Sequence, residues 1–219
     1  MNAYGITPSL TIGEHHPLFR PLIWVSQARS HYETRMALNF VQVERELLNY
    51  HIIATDGKRM HVSTFDPGLF SDDFEALDPG SYEVIAKAKK HIVLAANTEE
   101  SKFPNWRALM PEKGTRRTME DRVCARTISA VCIRTGVLLA TDFLGQAIGF
   151  DHGFKKDAYV SVDFAADPSG HGAFLIEHEL GRAIVMPMSL HNVAADQPKD
   201  DAEATPEMEA ISAHFGRQG

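Results

Sequence analysis

Apolar and polar residues alternate along several short stretches of this chain, and two of those stretches flank Asp56-Gly57. Tyr50, Ile52 and Ala54 share one phase before the dipeptide; Met60, Val62 and Thr64 share one after it. A period of two marks a half-buried strand. Asp-Gly favours a tight turn because glycine accepts positive φ without steric cost. The pattern predicts a β-hairpin centred on Asp56-Gly57. Alternation also predicts a strand over Tyr32 to Glu44, through Thr34, Met36, Leu38 and Phe40, with a bulge at Phe40-Val41. Two more, with a helix as the alternative, are expected on either side of Lys89-Lys90 within Tyr82 to Ala96, and three follow around Val160 to Phe164, Phe174 to Ile176 and Ala183 to Leu190.

Helical spacing is rarer. Leu18, Leu22 and Val25 predict a helix over Pro17 to Ser30, with both prolines near its start, where a missing N–H costs least. Thr141 is a candidate N-cap for a short helix to Phe150, with Leu144, Ala147 and Ile148 on one face. Ser71 to Leu77 reads as a helical turn or two. Residues 1–14 show no period and read as a loose arm. Phe103 to Pro111, with proline near each end, reads as an extended, packed connector, and Gly114 to Arg117 as a joint. The acidic, Ala/Pro-rich stretch 192–207 is expected to be disordered. The whole reads as an α+β chain: antiparallel sheet with short helices in two modules, 15–111 and 112–190, then a tail, 191–219.

Composition narrows the function classes. With 44% apolar and 23% charged residues over 219 positions, the chain fits a soluble globular protein. No apolar run is long enough to span a bilayer, and Met1 to Glu14 lacks a secretory pattern, so a cytoplasmic location without membrane contact is expected. Cys124 and Cys132 match neither a redox CxxC pair nor a zinc knuckle and read as reduced core thiols. The net charge of -7 is uneven, since the last 29 residues carry -4 of it. A near-neutral body does not fit a protein coated with nucleic acid, but it leaves room for a local basic face. The candidates are Lys87, Lys89 and Lys90; Arg116, Arg117, Arg122 and Arg126; and Lys155-Lys156.

Catalytic patterns are weak. His178-Glu179-Leu180-Gly181-Arg182 has the outline of the zinc-protease helix HExxH, but Arg182 stands where the second ligand is needed. The sequence contains no P-loop, no dinucleotide fingerprint and no nucleophile elbow. These patterns make no positive case for an enzyme, and no catalytic residue, cofactor or metal is expected.

Three separated stretches, in order, carry a family resemblance. Ala54-Thr55-Asp56-Gly57-Lys58-Arg59-Met60 resembles the ATDGHRL hairpin of the bacterial DNA polymerase III sliding clamp (beta subunit). Phe103 to Pro111 resembles that family's FPDYRRVLP connector, and Ala183 to Leu190 resembles its YVVMPMRL strand. Lys58 and Ser189 replace a family His and Arg. The resemblance implies a reduced, DNA-clamp-like fold acting as a processivity factor in DNA replication. In the family these stretches line a hydrophobic pocket that receives short linear peptides of polymerases, the clamp loader and repair proteins. Carried over by position, the pocket here comprises Thr55, Gly57, Arg59 and Met60; Pro104 and Leu109; and Val185, Met186, Pro187, Met188 and Leu190. Charged substitutions at Met60 and Met188 are then expected to abolish partner binding and leave the fold intact. The resemblance also implies double-stranded DNA, contacted independently of sequence, with Lys87, Lys89, Lys90, Arg122 and Arg126 as the facing cations. Rings of this superfamily have six modules, so two per chain implies a homotrimer. A second reading is a clamp-derived binding module that does not encircle DNA, which the short second module favours.

Overall fold

A computed structural model describes residues 9–47, 49–66, 68, 77–97, 102–110, 116–119, 139–148, 161–165 and 173–187. The expectations at residues 71–76, Cys124, Cys132, Arg122, Arg126, Lys155-Lys156, Met188, Leu190 and the tail lie outside the described residues. Residues up to Met188 belong to one compact unit.

Among the described residues of that unit, ten strands form one antiparallel sheet. They are β1 (Ser9–Gly13), β2 (Val41–Glu46), β3 (Asn49–Thr55), β4 (Arg59–Phe65), β5 (Gly80–Lys87), β6 (His91–Ala96), β7 (Arg116–Met119), β8 (Ser161–Ala165), β9 (Phe174–His178) and β10 (Gly181–Val185). Their spatial order is β1-β6-β5-β2-β3-β4-β10-β9-β8-β7. The hairpin expected at Asp56-Gly57 is β3–β4, and the two strands about Lys89-Lys90 are β5 and β6. The β4–β10 pairing brings residues 59–62 against residues 182–185 and makes the sheet continuous.

The alternation that builds the strands also gives the central sheet two different faces. Val41, Val43, Tyr50, Ile52 and Ala54 point to one side, with Phe174, Ile176, Ala183 and Val185. Two short helices cover that side: α1 (Phe19–Val25) and α2 (Thr141–Ala147). Five of the seven α1 residues are buried, so tertiary packing stabilises a helix too short to persist alone. Trp24 is fully buried. Its indole Nε1 donates to the carbonyls of Gln146 (3.0 Å) and Ala147 (3.2 Å), tying α1 to the end of α2. Its ring stacks on His61 with centroids 4.5 Å apart. The opposite face carries Ile53, Met60, Val62, Leu175 and Ile184.

Several local expectations need correction. Residues 9–13 are not a loose arm but strand β1, paired with β6. Residues 33–38 form a 3-10 helix, and the strand begins only at Val41. The connector contains a 3-10 turn over Trp106–Leu109. Thr141 is the first residue of α2; the N-cap is Ala140, with no side-chain capping bond. The joint expected at Gly114 to Arg117 overlaps β7. The last expected strand starts and stops earlier than Ala183 to Leu190, running Gly181–Val185. His178 to Arg182 is a strand–turn–strand and not a helix, so its HExxH outline has no metal-binding geometry. No helix of the described residues is long and apolar enough to cross a membrane.

Candidate functional site

The β3–β4 turn is fixed by side chains as well as backbone. Asp56 Oδ1 accepts from the Lys58 N–H (2.8 Å) and the Arg59 N–H (2.9 Å). Thr55 Oγ1 accepts from the Gly57 N–H (3.1 Å) and donates to the Arg59 carbonyl (2.7 Å). Gly57 sits at φ 85°, where a side chain would be strained. Arg59 then reaches across to the helices. Its guanidinium donates to Asp56 Oδ2 (3.2 Å), the Gln27 carbonyl (2.6 Å) and Gln146 Oε1, and lies 4.2 Å over the Phe143 ring. Thr55 and Arg59 are both buried, so they act as scaffold for the turn.

Strand β10 docks on this turn. Ile184 pairs with Met60 and Val185 with Arg59, and the Met186 N–H donates to the Lys58 carbonyl at 2.9 Å. Register therefore decides which β10 residues join Met60. Ile184 does; Val185 lies on the helix face and does not. Ile184 was not among the residues expected at the site.

The connector closes the third side. Trp106 is buried against Met60, Val62 and Ile184, with Phe103 and Met110 packed beside it. Its indole donates to Glu44 Oε2 (3.1 Å), and Arg107 lies 4.3 Å over its ring. Arg107 in turn holds Glu44 (2.8 Å) and Glu46 (2.6 Å), strapping the connector to β2. The hydrogen bond from Arg107, then its charge, keeps the Glu46 carboxyl below the usual carboxylate range. Around the buried cluster, Leu109 remains 51% exposed and Met186 42% exposed, Pro104 is exposed and Pro187 half-buried. Met60, at 2% exposure, belongs to the buried cluster itself. A charge placed there would be buried, so the test expected of Met60 would read stability and not binding.

His51 lies under the connector, its ring 5.3 Å from that of Trp106 and its Nδ1 2.9 Å from Thr64 Oγ1. Burial first, then the Arg107 charge, push its pKa below the ordinary 6.5. Below pH 6.5 the unfolded chain binds a proton that the folded chain refuses, so stability falls as pH drops from 6.5 toward the folded pKa. Urea unfolding at pH 7.5 and pH 5.5 is expected to show this loss, and His51→Gln to reduce it.

On the helix side of the hairpin tip a cleft of about 490 Å³ opens between Arg29, His31, Tyr32, Lys58, Arg59 and Phe143. Lys87, Lys89 and Lys90 are exposed on the β5–β6 hairpin, and Lys90 Nζ lies 3.5 Å from Glu14. Among the described residues, no cluster of His, Cys, Asp and Glu could hold a metal.

Solved structures place this architecture. DNA polymerase III subunit beta of Pseudomonas aeruginosa superposes with a TM-score of 0.51 at 14% identity, over 83% of this chain and 66% of that one. The beta subunit of Thermotoga maritima gives 0.53 at 12%, over 86% and 69%. The sliding clamp of Bacillus subtilis gives 0.51 at 15%, over 86% and 66%. The fold is that of a bacterial sliding clamp. The matched region spans about two thirds of the length of those sliding clamps. No family model and no curated protein matches the chain. The likeness is thus one of sliding-clamp architecture, with the β3–β4 hairpin, connector and β10 meeting around Met60, Trp106 and Ile184.

Proposed function

We propose that this chain binds short linear peptides of replication proteins, a polymerase or its clamp loader, in the groove between hairpin, connector and β10, and tethers them to DNA. The observation that supports it best is the convergence of three distant segments on one buried cluster, with Leu109 of the connector and Met186 just after β10 exposed. Exposed apolar side chains beside a rigid apolar floor suit a docking surface for apolar anchors. Methionine adapts to anchors of different shape, and proline stiffens the rim. In this reading Leu109, Met186, Pro104 and Pro187 touch the peptide. Thr55, Gly57 and Arg59 shape the turn, and Met60 and Ile184 form the floor; Met188 and Leu190 extend the same segment.

The modules are 15–111 and 112–190, pairing edge to edge at β4 and β10, and three such chains supply the six modules of a ring. Lys87, Lys89 and Lys90, with Arg122 and Arg126, face DNA through its backbone, an interaction weakened by salt. The fold has no catalytic role in this reading, and no cofactor is needed. A monomeric solution mass would favour the alternative, a module that holds the same peptides without encircling DNA.

Leu109→Glu and Met186→Glu are each expected to weaken binding of a labelled polymerase peptide by roughly 30-fold, the scale of a lost anchor contact. Circular dichroism and thermal melting of both variants should match the parent, since both positions are exposed. Unchanged affinity in both variants would sink the groove assignment.

A further inference from the structure

The proposed peptide site adjoins a second surface at Met186. The Met186 N–H is bonded to the Lys58 carbonyl, and the Lys58 side chain lines the cleft on the far side of the hairpin tip. Groove and cleft therefore meet at one residue. Their chemistry differs sharply. The cleft is lined by Arg29, His31, Lys58 and Arg59, and Asp56 is its acidic member. Both Asp56 oxygens are engaged, Oδ1 by the Lys58 and Arg59 N–H groups and Oδ2 by the Arg59 guanidinium. Arg59 is itself committed to Asp56, Gln27 and Gln146.

The other cations are not held in a close carboxylate pair of this kind. Among the described residues, no carboxylate lies within ion-pair distance of Arg29 or Lys58. Arg29 Nη1 reaches the Asn39 carbonyl only at 3.5 Å, and its Nε is buried with no hydrogen-bond partner. Glu83 acts on Arg29 only as a charge at longer range. Crowding of like charge is felt by the neighbours. The His31 pKa is lowered by burial first and then by Arg29, Lys87 and Arg59, and that of Lys87 by burial, Arg29 and Arg59. A cleft lined by Arg29, Lys58 and Arg59, with Asp56 as the carboxylate among its lining residues and with Glu83 and Asp142 acting only as charges at longer range, gains from an anion.

Building on the peptide-binding reading above, we infer that the preferred partner peptide carries an acidic segment beside its apolar anchors: the anchors seat on Leu109 and Met186, and the acidic side chains cross the hairpin tip into the Arg29–Lys58 cleft. Charge complementarity would then set partner choice, and the apolar groove would supply the common affinity.

The test uses the full chain and two labelled synthetic peptides with identical apolar anchors, one flanked by four glutamates and one by four glutamines. At low salt the glutamate peptide is expected to bind about tenfold tighter, and this advantage should shrink at 300 mM NaCl, where a Debye length of only about 5–6 Å screens exposed charge. Arg29→Gln and Lys58→Gln should each remove most of the advantage and leave glutamine-peptide affinity unchanged. Lys58 is an exposed turn residue, so its variant tests the idea even if Arg29→Gln perturbs folding. Equal binding of the two peptides overturns this inference and leaves the peptide-binding reading standing. Failure of both peptides to bind overturns both. If a dT20 oligonucleotide binds and is lost in the two variants while the glutamates confer no advantage, the cleft is a nucleic-acid site and the inference is wrong.

Discussion

Trp24→Ala is expected to cost about 3–5 kcal/mol of folding stability, the range for deleting a large buried aromatic. Two effects add. The indole fills the helix-side core at zero exposure, and its removal leaves a cavity that the sheet beneath cannot collapse to fill. Its N–H is also shared between the Gln146 and Ala147 carbonyls at the end of α2. Without it those carbonyls lose the donor they share at the end of α2. Trp24→Phe separates the terms, since it keeps most of the volume and loses the donor. It should recover a large part of the loss, falling short of the full indole by roughly 1–2 kcal/mol. Chemical denaturation of the parent and both variants checks the order; equal stability of Trp24→Ala and parent would refute the role given to Trp24.

Gly181→Ala is the second large effect, with an expected loss of about 3 kcal/mol or more. Gly181 holds φ 144°, and a Cβ built there would stand 2.1 Å from the Val62 carbonyl oxygen and 2.9 Å from the Ser63 Cα. Both obstacles are backbone, so no side chain can rotate away. The strain falls at the start of β10, beside its pairing with β4. The loss should therefore appear as reduced amide protection at Ala183 and Ile184 as well as a lower melting temperature. An alanine variant with parental stability and protection would show that β10 can be reseated freely.

The parts of the fold legible in the sequence were those where alternation and burial coincide. Tyr50, Ile52 and Ala54 point into the helix-side core, and Asp56-Gly57 supplies the turn, so the hairpin could be read directly. Over Tyr32 to Phe40 alternation misled. Met36 is 58% exposed, and the segment is held by local bonds, such as Ser30 N–H to the Leu38 carbonyl at 2.8 Å. A coincidental period had no core behind it. Strand β1 failed the other way, with Ile12 its single buried side chain and only Leu10 in phase with it, too short an alternation to read. At the candidate site the motif located the segments but not the face. Choosing between Ile184 and Val185 needs the register of β10 on β4, and one residue of slip exchanges the two sides. The Trp106–Glu44 bond and the Arg107 strap are likewise contacts across 60 or so positions, with no local signature.

The pairing of Met60 with Ile184 has a consequence for how the protein comes into being. The two residues are separated by more than half the chain, so the loop they close is among the costliest to order. During synthesis at about 5–20 residues per second, the hairpin emerges many seconds before its partner strand. Until β10 arrives, β4 presents an unpaired strand edge and Met60 lacks its Ile184 cover, a surface prone to wrong partners. The cluster around Met60, Trp106 and Ile184 is therefore completed late, and a nascent or truncated chain ending before Gly181 should be a client for chaperones.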